Sequence, residues 1–115
     1  MAENPPLDSA TLTPSMVEAL ARLWKKFQPD IEARVTVLEA AVRALASGAL
    51  SDEQREAAHA AAHKLSGTLG TFGLHRGTKL ARECEDFLAG EQPLAPEFDI
   101  GARAAELKAL INSHD

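Results

Sequence analysis

Apolar residues recur along this chain at steps of three and four, and no segment alternates polar with apolar at steps of two. Ile31, Val35, Leu38, Val42 and Leu45 form the clearest run. That spacing stacks side chains on one stripe of an α-helix, whereas a half-buried strand needs period two. The same rhythm runs through Met16, Leu20, Leu23, Trp24 and Phe27, and through Ile100, Ala104, Leu107 and Ile111. Between them lie Ala58, Ala61, Ala62, Leu65, Leu69 and Phe72, then Leu74, Gly77, Leu80, Ala81, Cys84, Phe87 and Leu88.

The punctuation fits that rhythm. Thr13 before Pro14 reads as an N-cap with proline in the first turn. Pro29 interrupts the pattern, so a short first helix is expected to kink or end near Gln28. Trp24 and Phe27 are expected to pack that helix over the bundle end. Ser47-Gly48 closes the next helix, and Ser51 with Gln54 has the spacing of a capping box. Residues 90–96 hold two prolines and read as a loop. The expected fold class is all-α, an antiparallel four-helix bundle with a short additional N-terminal helix. The bundle domain spans residues 13–115 and follows a flexible N-terminal arm over 1–12.

Composition excludes several functions. The net charge is −5 and no run of Lys or Arg is present, so a nucleic-acid partner is not expected. No stretch approaches the roughly 20 apolar residues of a membrane span. The N-terminus lacks the basic start and apolar core of a signal peptide. Cys84 stands alone, which precludes an internal disulfide and suits a reducing, cytoplasmic setting. It falls on an apolar stripe and is expected in the core.

One stretch works against its own helix. Residues 60–74 read AAAHKLSGTLGTFGL, with Gly67, Gly70 and Gly73 following His63. Each glycine costs a helix interior about 1 kcal/mol relative to Ala. At about 100° per residue, the apolar side chains from Ala58 to Phe72 cluster opposite His63. His59, Gly67 and Gly70 share the exposed face with His63, while Lys64 and Ser66 flank it. Gly73 reads as the helix end, but Gly67 lies where the helix continues. A bare strip beside an exposed imidazole lets another molecule approach closely.

Neutral imidazole is a nucleophile near physiological pH and can accept a phosphoryl group on a ring nitrogen. Such a site needs room for a partner and a cation to offset incoming charge; Gly67 offers the first and Lys64 the second. Glu56, about two turns from His63, is too far to hold the ring. With no second catalytic group in the motif, the expectation is a substrate for another protein's chemistry rather than an enzyme.

The string HKLSGTLGTFGL, within AAHKLSGTLGTFGL and followed by LARECE, resembles the histidine-containing phosphotransfer (HPt) domain. The signature of that family is H-x-L-K-G with a further Gly ten residues after the His. His63 matches the phosphorylated position, Leu65 the core leucine, Gly67 the close-approach glycine and Gly73 the later one. The resemblance implies a four-helix bundle, often monomeric, that relays phosphoryl groups between receiver-domain aspartates without catalytic activity of its own. It implies Nε2 as the phosphorylated nitrogen, a response-regulator receiver domain or hybrid histidine kinase as partner, and Mg²⁺ held by that receiver. The chain itself is expected to bind no cofactor. The usual Lys three residues after the His is Ser66 here. The charge-offsetting role therefore falls to Lys64, with Ser66 as a hydrogen-bond donor and His59 and Gly70 as docking residues.

Other readings compete. His59 and His63 are an i, i+4 pair, but HAAAH lacks the Glu of H-E-x-x-H and no third ligand is evident, so no metal is expected. Gly77-Thr78-Lys79 has the wrong order for a phosphate-binding P-loop and no preceding strand. A non-phosphorylated helical adaptor that binds receiver domains or other signalling proteins is the alternative function. Arg82, Glu83, Glu85 and Asp86 read as a solvated face.

Overall fold

The computed structural model describes residues 13–90 and 99–114, so the arm expected over 1–12 and most of the 90–96 loop lie outside the described residues. Four helices follow in order: α1 (Pro14–Ala46), α2 (Asp52–Thr71), α3 (His75–Ala89) and α4 (Ile100–Asn112). No strand occurs among the described residues. Each helix packs against two others, α1 on α2 and α4, α3 on α2 and α4, which closes a four-sided bundle.

Contacts between helices run in opposite senses. Along α3 and α4, Arg76 bonds Glu106 and Glu83 bonds Arg103. Along α1 and α4, Trp24 meets His114 while Glu39 pairs with Lys108. The neighbours are therefore antiparallel.

The caps form where the sequence placed them. Thr13 Oγ1 accepts from the Met16 amide at 3.1 Å, satisfying one of the donors a helix start leaves free. Ser51 and Gln54 exchange both bonds of a capping box. Gly73 takes φ +73 directly after α2, the left-handed geometry that L side chains resist.

The N-terminal region corrects the expectation of a separate short helix. α1 runs unbroken through Pro29 for 33 residues. Proline removes one amide donor and crowds the preceding turn, at about 3 kcal/mol in a helix interior. The residues around it explain why the helix survives. Lys25 and Pro29 face solvent, so water can reach the carbonyl left without its amide. Trp24 and Ile31, on either side, are 3% and 0% exposed on one stripe. Each buried side chain of that size contributes roughly 1.5–3 kcal/mol, and the continuous helix buries both. Trp24 packs edge-on against Phe72 and His114 at the bundle end. Phe27, expected beside it, is 39% exposed. Pro29→Ala is expected to stabilise the fold by roughly 1–3 kcal/mol, read as a higher urea midpoint at unchanged slope. An unchanged midpoint would show that the helix tolerates proline there without cost.

Cys84 is fully buried in the core, as its stripe position implied. Burial, aided by the nearby Glu83, pushes its thiol from an ordinary 9.0 up to about 12. The unfolded chain therefore releases this proton at lower pH than the folded one, so stability is full below about 9 and declines as pH climbs toward 12. Alkylation of Cys84 in the native protein is expected to be slow and limited by opening of the bundle, checked by comparing labelling rates with and without urea.

Candidate functional site

α2 carries the exposed strip. Ala58, Ala62, Leu65 and Leu69 are all 0% exposed and pin one face of the helix into the core. His63 emerges on the opposite side with its side chain 70% exposed. Gly67 and Gly70 lie on the same exposed side. A Cβ added at Gly67 would meet nothing within 4 Å, and one at Gly70 only Thr78 Oγ1 at an ordinary 3.6 Å. Internal packing requires neither glycine. Gly77 differs: a Cβ there would come within 3.1 Å of Leu69 Cδ1, so this glycine serves the close approach of α3 to α2.

The imidazole has a partner that the motif did not reveal. Glu85, on α3, places Oε2 2.9 Å from His63 Nδ1. A carboxylate only accepts, so the hydrogen in this pair belongs to Nδ1. In the neutral ring Nε2 then keeps its lone pair and carries no hydrogen. Glu85, read from sequence as part of a solvated face, is instead half-buried against α2. The signal that could have found it is register. The α2–α3 turn centres near Gly73, and His63 and Glu85 stand at similar distances on its two sides.

His59 sits one turn before His63, with Nε2 3.8 Å from the same Glu85 oxygen. Ser66 occupies a different place from the one expected. It is 8% exposed, its hydroxyl donates to the His63 carbonyl at 2.8 Å, and its own carbonyl accepts from Thr78 Oγ1. Packing of α3 against this flank of α2 buries the side chain at position 66. Lys64 is exposed and lies about 100° around the helix from His63, on the flank away from Ser66. On the α3 side, exposed Arg82 stands one turn before Glu85. Among the described residues no group of three His, Cys, Asp or Glu side chains is arranged to hold a metal ion.

An exposed helical histidine, oriented through Nδ1 by a carboxylate and followed by bare glycines, has the chemistry of a nucleophile and room for a second macromolecule to approach. Residues 22–113, which include the whole site, match the Hpt domain family. The chain belongs to that family. As an Hpt domain it is a phosphotransfer module of two-component signalling, a class that interacts with receiver domains and kinases. Hpt domains are phosphocarrier modules rather than catalysts. The chain is also similar to Protein RcaC of Microchaete diplosiphon, with 36% identity over 94 residues. That match covers 82% of this Hpt chain but spans only 14% of the length of RcaC. No solved structure matches the chain. Among the described residues no helix is long and apolar enough to cross a membrane.

Proposed function

We propose that this chain accepts a phosphoryl group on Nε2 of His63 from a receiver-domain aspartate or a histidine kinase, and passes it to another receiver. The observation that carries this reading is the 2.9 Å contact from His63 Nδ1 to Glu85 on a 70% exposed side chain, which leaves Nε2 of the neutral ring without a hydrogen. The Nε2 lone pair attacks phosphorus in line; the P–N bond forms as the P–O bond of the aspartyl phosphate breaks, and the aspartate leaves as a carboxylate. The transfer is reversible. Nδ1 keeps its hydrogen throughout, and the positive character that the ring gains is met by Glu85.

Little else is asked of this chain. Phosphoryl transfer depends chiefly on positioning and on neutralising charge over the equatorial oxygens. Lys64 from one flank and Arg82 from the other supply mobile cations to those oxygens. Ser66 shapes the α2–α3 contact, while Gly67 and Gly70 keep the strip flat for the docked partner and His59 borders it. Mg²⁺ belongs to the partner receiver, and the chain works as a monomer.

The test is transfer itself. Mixed with a radiolabelled phospho-receiver, the chain should take up label that survives alkali and is lost in acid, the behaviour of a phosphorus–nitrogen bond. If the receiver binds yet no receiver or kinase delivers label, the chain is a non-phosphorylated adaptor.

A further inference from the structure

Glu85 faces two imidazoles with one oxygen. Its Oε2 is 2.9 Å from His63 Nδ1 and 3.8 Å from His59 Nε2. The two histidines lie one helical turn apart on the same face of α2, so the carboxylate needs only a small rotation to pass from one to the other. The Glu85 side chain is 20% exposed, so water competes weakly for it. Arg55, the nearest cation on the preceding turn, is committed elsewhere: its guanidinium donates to the Leu88 carbonyl at 3.0 Å. Arg82 stands one turn before Glu85 on α3 itself, and on α2 His59 is therefore the group best placed to draw Glu85 away from His63.

We propose that His59 is a positioning residue that sets the ring tautomer of His63 by competing for Glu85. The inference rests on the phosphotransfer reading for its consequence, but not for its test. When His59 turns a lone pair toward Oε2, the two acceptors repel and the carboxylate stays on His63 Nδ1, which fixes the hydrogen there and leaves Nε2 free. When His59 presents N–H, and above all when it carries a charge, it donates to the carboxylate in a stronger, charge-assisted bond. His63 then loses the partner of Nδ1, and its single ring hydrogen distributes over both nitrogens. The fraction of molecules with a nucleophilic Nε2 falls. No residue is gained or lost from the site; one carboxylate changes its allegiance.

Two substitutions separate the cases without disturbing the core, since the His59 side chain is 40% exposed. His59→Lys places a permanent cation within reach of Glu85, and His59→Leu a side chain with no hydrogen-bond donor. The ring-nitrogen NMR shifts of His63, measured on the unphosphorylated protein, report the tautomer directly. The wild type and His59→Leu should show His63 held as the Nδ1–H form, and His59→Lys a mixture of both forms. Phosphoryl uptake should follow, with His59→Lys slower by roughly three- to tenfold, the population ratio that one ordinary net hydrogen bond sustains. Unchanged His63 shifts in His59→Lys would overturn the proposal. Shifts that respond in a protein that no phospho-receiver can label would uphold the competition and refute the phosphotransfer reading instead.

Discussion

Replacing His63 with Gln is expected to abolish phosphoryl uptake while the bundle stays folded. The imidazole is the nucleophile of the proposed reaction, and an amide cannot form the phosphorus–nitrogen bond at neutral pH. Removing a covalent nucleophile typically costs a thousandfold or more, so label incorporation should fall by at least about that factor. Structural loss does not account for such a drop. The side chain is 70% exposed and contributes nothing to the core. The amide nitrogen of Gln can still donate to Glu85, as Nδ1 does now. Stability should therefore stay within about 0.5 kcal/mol of wild type, the usual range for surface substitutions. Urea unfolding and label transfer, run on the same preparation, separate the two quantities. Transfer that persists in this variant would move the site elsewhere.

The second large effect is expected at Gly67. A Cβ at this position has no neighbour within 4 Å, so the folded chain accommodates a large side chain there. A non-glycine residue also favours the helix, by up to about 1 kcal/mol for Ala. Gly67→Trp should thus be folded and at least as stable as wild type. An indole one turn from His63 would nevertheless stand where a partner's phosphoaspartate must approach. Reacting atoms have to close to about 3–3.5 Å, and a misplacement of 1 Å can cost a hundredfold. Transfer from a receiver should fall by about that much, while Gly67→Ala should lose far less. Phosphorylation by a small-molecule donor, which needs no docked protein surface, should be nearly unaffected in both variants. Equal transfer by Gly67→Trp and wild type would remove the close-approach role from this glycine.

These expectations draw on what local sequence already displayed. The caps at Thr13 and Ser51 and the helix end at Gly73 depend on residues within a few positions of each other, and all three formed as read. The exposure of His63 opposite the Ala58, Ala62, Leu65 and Leu69 face follows from helix geometry alone. What local reading missed was decided by tertiary contact. Pro29 is a helix breaker in isolation, and burial of Trp24 and Ile31 on either side offsets its cost in α1. Glu85 lies 22 residues beyond His63, and its meeting with the imidazole depends on the α2–α3 register. Ser66 stands about 60° from His63, a flank that is exposed or buried according to where α3 packs.

That dependence on α3 makes the chemistry more specific than the motif does. The motif locates a histidine, while Glu85 contacts one of its two nitrogens. The most direct measurement is therefore the position of the phosphate in the labelled chain, read by phosphorus–nitrogen coupling in NMR of the ring-labelled protein. The geometry predicts a single phosphohistidine, at His63, bonded through Nε2. Phosphate on Nδ1 of His63, or on His59, would contradict it.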